Sequence, residues 1–283
     1  MVDRIAQSMA NAEAHLLSLR NAQGHWEGHL SSSALSTATA MVALHAVDAS
    51  LHGRFIKSGA SWLIENQNAD GGWGDTPLSK SNLSTTLLCW SALKKTASEC
   101  ALTLERCESW ICAQVGSLEP ADIQRAVVRR YGKDKTFSVP ILMHCAICGT
   151  LGESAWNRVL PLPFELAAFP RSWFGALGLP VVSYALPALI AIGHARFHHA
   201  PPSWLNPLRW LRSRLWSRIR PMLKTLQPSS GGYLEATPLT SFVTMALASS
   251  GDHEHPCVPG AIDFLHLSMR PDGSWPIDTN LAT

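Results

Sequence analysis

Two short clusters in the sequence combine side chains of the types that bind zinc in proteins. Residues 252–257 read Asp-His-Glu-His-Pro-Cys, and His144 and Cys145 are followed by Cys148. A structural zinc ion needs four ligands, and neither cluster has a matching second half-site. The first cluster follows Gly251 and is typical of a polar turn. The second lies in an apolar helical stretch, where cysteine behaves as a small hydrophobic residue, so we predict no metal site.

The overall composition indicates a large buried core and excludes several classes of partner. The chain has 283 residues, of which 46% are hydrophobic and only 16% charged, with a net charge of +2. This charge gives no reason to expect a nucleic-acid partner. Seven widely spaced cysteines favour reduced thiols in a cytoplasmic protein. The first residues include acidic side chains and no apolar segment, so we expect no signal peptide.

A sequence repeat organises the secondary-structure elements that would position a functional site. Residues 59–73 are its most complete copy. The aromatic–aliphatic pair Trp62 and Leu63 is followed by Gln67 and then by a Gly-x-Trp that ends at Trp73. Ten residues separate Leu63 from Trp73. In chain order, the first, third and fourth repeats keep this separation: Leu16 to Trp26, Leu223 to Tyr233, and Leu265 to Trp275. At the position of Gln67 these repeats have Arg20, Gln227 and Met269, respectively.

The repeat has the pattern of a helix end followed by a second helix. Glycine tolerates the positive φ that stops a helix, and apolar stretches at 33–47, 82–93 and 239–248 follow the first three repeats. An aromatic side chain between two helices can tie the end of one to the start of the next. We therefore predict an all-α fold, an α/α toroid with a double ring of helices. The motif residues Trp26, Gln67, Trp73, Gln227, Tyr233 and Trp275 are predicted to be structural.

These motifs resemble the QW repeats of squalene–hopene and oxidosqualene cyclases, the class II triterpene cyclases. Three further segments are similar to that family and occur in the expected order. Residues 135–140 resemble its Lys-Thr-x-x-Pro helix. Residues 156–165 resemble its segment with a Trp, two prolines and a Glu. Residues 183–185 resemble its Ser-aromatic-Ala. The resemblance implies that residues 1–225 form an N-terminal α/α-barrel, including repeats at 12–47 and 59–94. Residues 226–283 would begin a second α-barrel, truncated within a repeat.

The resemblance also implies a chemistry, the proton-initiated cyclisation of squalene or a related polyprenoid to a polycyclic triterpene, as in hopanoid biosynthesis. Such an isomerase uses no cofactor and takes its proton from an Asp-rich motif that follows a Gly-x-Trp. In the corresponding segment here, 273–283, only Asp278 is acidic. Aligning residues 280–283 with 82–85 places Leu281 and Ala282 opposite the catalytic acids. Asp278 is therefore either the proton donor or, as we favour, the cap of a following helix, as is Asp75 after the second repeat.

Aromatic side chains would line the cavity of such a cyclase, because their faces stabilise carbocations. The resemblance implies this role for Tyr184, and we consider it for Trp173 and Phe174. Each of the three also fits an ordinary place in the apolar core.

Two stretches raise the question of membrane contact. Residues 173–193 carry no charge, yet Pro180 and Pro187 interrupt them, and the resemblance favours a buried inner helix. Residues 203–221 alternate arginines with an apolar face, which suits either an anionic membrane surface or an arginine face over the core. Because the family is monotopic, we predict peripheral contact with one leaflet. The residues predicted to make it are Trp204, Leu208, Leu211, Leu215, Trp216 and Ile219.

Two alternatives to a cyclase remain open. A cyclase-like toroid that has lost its acid would be a catalytically inactive binding or partner subunit. A toroid of the protein prenyltransferase type would need zinc held by Asp, Cys and His, for which the sequence offers no convincing set. In the cyclase interpretation the partners are a polyprenoid lipid such as squalene and one membrane leaflet. A homodimer, or a second chain that completes the cyclase, is left open.

Overall fold

The computed structural model describes residues 2–28, 30–97, 100–132, 134–170, 185–278 and 281–282. Within these ranges the chain is mainly helical. The helices are α1 Val2–Ser18, α2 Ala34–Asp48, α3 Gly53–Glu65, α4 Leu83–Thr96, α5 Ala101–Val115, α6 Pro120–Tyr131, α7 Lys135–Ile147, α8 Ala155–Arg158, α9 Leu186–His199, α10 Pro207–Leu226, α11 Thr237–Ser249 and α12 Val258–Ser268. Phe164–Ala168 and Tyr233–Glu235 are short 3-10 helices, and four two-residue strands are β1 Glu27–Gly28, β2 Ser32–Ser33, β3 Trp275–Pro276 and β4 Leu281–Ala282.

Five apolar helices form a closed inner ring. In ring order, α2 packs against α4, α4 against α7, α7 against α9, α9 against α11, and α11 against α2 again. These helices bury residues on all sides, as expected for a helix without a solvent-facing stripe. The all-α toroid predicted from the repeat is confirmed.

The remaining helices, apart from α1, pack around this ring. Helix α3 packs against α2 and α4, α5 against α4, α6 against α7, α12 against α11, and α10 against both α9 and the 3-10 helix Phe164–Ala168. Unlike these outer helices, α1 is exposed along its described length, including its apolar residues. The toroid is therefore a ring of buried helices inside an outer layer of helices.

The helices predicted after the first three repeats are present with nearly the predicted bounds, as α2, α4 and α11. Polar caps start two of them, since the side chains of Ser33 and Asn82 accept hydrogen bonds from the backbone N–H groups of Ser36 and Thr85. In all four repeats the first glycine of the Gly-x-aromatic has a φ near +90°, as in Gly71, which lets the chain turn sharply after the outer helix.

The fourth repeat closes the ring instead of standing apart from it. Strand β3 pairs antiparallel with β2, and β4 pairs antiparallel with β1, so both strands lie beside the segment that leads into α2. Helices α11 and α12 belong to the same ring as the helices before residue 226. The parts on either side of residues 225 and 226 pack as one ring in this structure. The predicted boundary between two barrels stays a prediction.

In the ranges described above, no helix has both the length and the apolar character needed to cross a membrane. The uncharged stretch at 173–193 is described only from residue 185, where it leads into the inner helix α9.

Candidate functional site

The aromatic residues of the four repeats share one tie to the helix that precedes them. The side chains of Trp73 and Trp275 donate from Nε1 to the backbone oxygens of Leu63 and Leu265, at 2.9 and 2.7 Å. Tyr233 donates its hydroxyl to the Leu223 oxygen at 2.9 Å. The same ten-residue tie joins Trp26 to Leu16 at 2.6 Å. The constant spacing in the sequence is therefore the spacing of a hydrogen bond that closes the end of each helix.

A second tie joins three of these aromatic residues to an inner helix through a threonine. The backbone N–H of Trp73 donates to Thr86 Oγ1 at 3.0 Å, and that of Tyr233 donates to Thr240 Oγ1 at 2.9 Å. Trp275 donates in the same way to Thr37 Oγ1 at 3.0 Å. Each threonine is the fourth residue of its helix. These buried bonds place the N-terminal ends of α2, α4 and α11 at one mouth of the ring.

The glutamines reach the next outer helix. Gln67 Nε2 donates to the oxygens of Gly71 and Thr103, and Gln227 Nε2 donates to the oxygens of Gly231 and Cys257, all within 2.9 Å. The tie expected between neighbouring helices is thus made by hydrogen bonds. The glutamine satisfies carbonyl groups in the loop and at the start of the following outer helix.

Asp75 lies in the loop at this mouth and bonds to two side chains at the start of α4, whose N-cap is Asn82. Its Oδ1 accepts hydrogen bonds from Asn82 Nδ2 at 2.9 Å and from Thr85 Oγ1 at 2.5 Å. The loop or cap role predicted for Asp75 is confirmed. With its oxygen occupied by two donors, Asp75 is poorly placed to donate a proton.

Asp278 lies at the same mouth, between α2 and α11. Ile277 accepts a hydrogen bond from the Thr237 N–H at 2.8 Å, and Asp278 forms a β-bridge with Ala236, just before α11. Its Oδ1 is buried without a hydrogen-bond partner among the described residues. The buried hydroxyls of Ser36, Thr237 and Ser241, on the first turns of α2 and α11, are likewise unpartnered there.

The expected cap role of Asp278 for a following helix is wrong for the described residues. Leu281 and Ala282 form β4, which is extended and pairs with β1. Pairing with β1 satisfies these backbone groups in an extended conformation, so no helix begins here. Asp278 instead adjoins the start of α11, a helix that precedes it in the chain. The three aromatic residues predicted to line a cavity, Tyr184, Trp173 and Phe174, lie outside the described residues.

The Pro-rich segment that resembles the cyclase family positions a buried ion pair. Glu165 accepts two hydrogen bonds from the guanidinium of Arg212 on α10, each at 2.9 Å, and both side chains are nearly buried. Arg212 also lies over the ring of Phe164, 5.4 Å from its centroid. A bidentate pair of this kind fixes orientation as well as charge. It attaches α10 to the segment 161–165, and no pattern in the sequence indicated this partner for Arg212.

A stacked histidine lies next to this pair. His194 on α9 stacks on Trp216 with ring centroids 3.5 Å apart and meets the edge of Phe164. Burial lowers the pKa of His194 to about 4, so the imidazole is neutral near pH 7. His194, Trp216 and Phe164 form the packing core between α9 and α10 and are structural.

The predicted membrane face of α10 divides into an exposed and a covered part. Trp204, just before the helix, is 66% exposed, and Leu208 and Leu211 are also exposed. Leu215 and Trp216 pack against the core, and Ile219 is fully buried. Lipid contact by Ile219 is therefore wrong, because its position on the helix turns it towards the ring. The sequence reading missed Trp210, which is 67% exposed.

The arginines of α10 are also divided. Arg220 pairs with Asp252 at 2.7 Å, as Arg212 pairs with Glu165. Arg214 and Arg218 are exposed. The acids come from other segments, so the helix sequence alone gave the impression of an unpaired basic face.

The two clusters with zinc-binding residue types have other roles. His144 is fully buried and bonds to the Leu88 carbonyl, and burial raises the pKa of the Cys145 thiol to about 11. His255 lies between Cys257 and the Arg220 carbonyl. Among the residues the structure describes, no group of three or more His, Cys, Asp or Glu side chains could hold a metal ion.

Comparison with known proteins shows which family the chain resembles. The squalene-hopene cyclase N-terminal domain matches residues 9–185, which is more than half of the chain. No curated protein matches the chain. Among solved structures, the chain is similar to the crystal structure of a protein from Actinoplanes. That similarity has 17% identity over 95% of this chain and 82% of that one, with a TM-score of 0.37. On the match of residues 9–185, the chain belongs to the squalene–hopene cyclase N-terminal domain family.

Proposed function

We propose that this protein acts in the proton-initiated cyclisation of squalene or a related polyprenoid to a polycyclic triterpene. Membership of the squalene–hopene cyclase N-terminal domain family is the observation that carries the proposal. The toroid supports it, because a closed ring of helices with buried ends is a rigid frame on which an apolar site can be built.

The proposed chemistry begins with the transfer of one proton. A carboxylic acid gives its proton to a terminal alkene carbon, and the electron pair of the alkene forms the new C–H bond. The neighbouring carbon becomes a cation, which the next alkene attacks to close a ring. The last cation loses a proton to water, which ends the sequence, and the carboxylate takes back one proton from the same solvent. The sum is an isomerisation that consumes no cofactor.

Asp278 is our candidate for the proton donor in this chain. Its buried Oδ1 has no partner among the described residues, whereas Asp75 at the same mouth is held by two donors. General acid catalysis of this type contributes about 10²–10⁴-fold to a rate.

An inactive toroid that binds the lipid or a partner chain is the second candidate function. The observation that favours it is the lone carboxylate. Asp278 is the only acid in segment 273–283, and the next described residues, Leu281 and Ala282, are extended. The Asp-rich motif of the family would place two acids opposite these residues.

We also propose that the N-terminal half of α10 contacts one leaflet of a membrane. Trp204, Trp210 and Leu211 are exposed there, with the exposed Arg214 and Arg218 further along the helix. Exposed indoles beside arginines suit the interface of an anionic bilayer, where a lipid substrate would be collected.

The test of the catalytic proposal is product formation by the complete protein from detergent-dispersed squalene, measured by gas chromatography and mass spectrometry. We expect cyclic triterpene from the native protein and a loss of at least about 100-fold in Asp278→Asn. Asp75→Asn is the matched control and keeps activity, because the amide oxygen still accepts the capping bonds. Equal activity in Asp278→Asn would move the donor role to another acid. A complete protein that yields no cyclic product would leave the inactive toroid as the better account.

A further inference from the structure

The corner between α2 and α3 is occupied by a repeat that lies at the other end of the chain. In the second and third repeats the aromatic N–H binds a threonine on the next helix along the chain, Thr86 or Thr240. In the fourth repeat Trp275 binds Thr37, which is 238 residues earlier and belongs to the helix that follows the first repeat. The fourth repeat therefore occupies the position next to α2 that we would expect the first repeat to occupy, because the first repeat directly precedes α2 in the chain.

The backbone of the fourth repeat fits this corner closely. An added Cβ at Gly273 would lie 2.8 Å from the Ser58 oxygen on α3, just as one at Gly231 would lie 2.0 Å from the Gly260 oxygen on α12. A Cβ at Gly59 would meet the Trp275 ring at 3.1 Å. Thr37, Ser58 and Gly59 form this corner. The fourth repeat contacts the corner with the same geometry as one repeat contacts the next in the chain.

The first repeat has the parts needed to occupy the same corner. Trp26 lies 11 residues before Thr37, between the separations of 13 and 7 residues that join the aromatic to its threonine in the second and third repeats. Its ten-residue tie to Leu16 is already formed. Its helix α1 exposes apolar side chains on one face, namely Ile5, Met9 and Leu16, at successive spacings of four and seven residues. The face that a corner-binding helix buries is thus exposed in α1.

A pair of histidines is one of the contacts that the fourth repeat makes at this corner, beside the bonds of Arg270 and Ser274 to Ser32. His266 Nε2 on α12 lies 3.2 Å from His52 Nδ1 before α3, and its ring stacks on Phe55 at 3.9 Å. One imidazole must donate and the other accept, so the contact requires at least one neutral ring. When the repeats are aligned on Leu16 and Leu265, the residue opposite His266 is Leu17, which carries no charge.

The charged groups around this contact set the direction of its pH dependence. Burial is the main cause that lowers the pKa of His52 and of His266. For His266, His52 and Arg54 lower it further while Asp263 opposes them; for His52, Asp48 opposes the shift. A histidine whose pKa is lower in the closed state than in the released state binds its proton more weakly when closed. The closed state is therefore fully favoured above the ordinary pKa of about 6.5 and loses stability as the pH falls below it.

We propose that the corner formed by Thr37, Ser58 and Gly59 is a shared receptor for the first and fourth repeats of this chain. At neutral pH the fourth repeat occupies it through the His52–His266 contact. Protonation of both rings releases the fourth repeat and lets α1 and the first repeat bind instead. The exchange also removes Asp278 from the start of α11, so the corner controls whether that acid lies at the mouth of the ring. The exchange does not depend on the proposed cyclase activity.

Spin-label distances measured by double electron–electron resonance test the exchange in the intact chain. Glu105 on α5 is the fixed point, Leu267 reports on the fourth repeat and Met9 on α1, each replaced by a labelled cysteine in a Cys112→Ser background. The other native cysteines are buried. At about pH 7.5 we expect a narrow 105–267 distribution and a broad 105–9 distribution. At about pH 5 the two patterns reverse.

Matched variants distinguish the proposed exchange of repeats from general unfolding of the protein in acid. His266→Leu, which copies Leu17 of the first repeat and removes the His52–His266 contact, gives a broad 105–267 distribution at both pH values, whereas His253→Gln, an exposed histidine, behaves as the native chain does. Unchanged distributions between the two pH values would overturn the proposal, and so would release of the fourth repeat without ordering of α1. In a control, the labelled chain is diluted with unlabelled chain. If the 105–9 distance then disappears, α1 binds the corner of a second copy, and the proposal that it binds the corner of its own chain is overturned.

Discussion

At the scale of single residues, the account depends on hydrogen bonds made by the repeat aromatics. Sequence spacing predicted the aromatics and the helix ends they follow, because the ten-residue tie is local. It did not predict the threonines, since Thr37, Thr86 and Thr240 have no distinctive pattern and their partners lie up to 238 residues away. Each of the three is the fourth residue of its inner helix, but that position is recognisable only once the bounds of the helix are known.

Replacing Tyr233 with phenylalanine tests the first tie. The ring keeps its packing, but the buried Leu223 carbonyl loses its donor, and a buried polar group left unpaired costs about 1–3 kcal/mol. We expect Tyr233→Phe to lower the free energy of unfolding in urea by about that amount. Trp204→Phe, at an exposed aromatic without this tie, is the control and stays within about 0.5 kcal/mol of the native protein. Equal stability of the two variants would contradict the structural role of the tie.

The stacked His194 predicts a pH dependence of stability. Its pKa is about 4 in the folded chain and about 6.5 when unfolded, so between these values the unfolded chain binds a proton that the folded chain does not. Stability therefore falls as the pH decreases from 6.5 towards 4, with a slope of up to about 1.4 kcal/mol per pH unit for each such group.

His194→Phe removes this contribution while an aromatic ring still faces Trp216. Its free energy of unfolding, measured in urea from pH 7 to pH 5, should decline less steeply than that of the native chain. His144, whose pKa burial also lowers to about 4, continues to contribute in both proteins. A decline as steep in His194→Phe as in His253→Gln would show that His194 is not the source.

At the scale of elements, hydrophobic pattern identified the inner helices well and α10 only in part. An inner helix is apolar on all sides, and this property can be recognised from the sequence of the helix alone. The covered half of α10 depends on Glu165 and Asp252, which bind Arg212 and Arg220 from other segments. A helical wheel gives the apolar face but not the point along the helix where the protein stops covering it.

Vesicle flotation tests the membrane face of α10. We expect the native chain to bind vesicles rich in phosphatidylserine and Trp204→Ala/Trp210→Ala to bind at least about 30-fold more weakly, since each indole contributes about 1–2 kcal/mol of apolar burial. Leu78→Ala removes a residue that is 99% exposed elsewhere and should leave binding unchanged. Equal binding by all three proteins, or equal loss in Leu78→Ala, would argue against this face.

At the scale of the whole molecule, the repeat predicted a toroid but not how it closes. Counting repeats gave an N-terminal barrel followed by the start of another. In the structure α11 packs against α2, and the fourth repeat seals that junction through β3 and Trp275. Ring closure is a long-range choice between equivalent repeats, and the local pattern of the first and fourth repeats is too similar to decide it.

The most direct test of this closure is native-state hydrogen exchange at the Trp275 backbone amide in the native chain and in Thr37→Val. We expect strong protection in the native chain at neutral pH and a marked, selective loss in the variant, where the acceptor is gone. The Trp73 and Tyr233 amides, bound to Thr86 and Thr240, should stay protected in both proteins. A Trp275 amide that exchanges freely in the native chain, or one that Thr37→Val leaves unchanged, would contradict the closed ring.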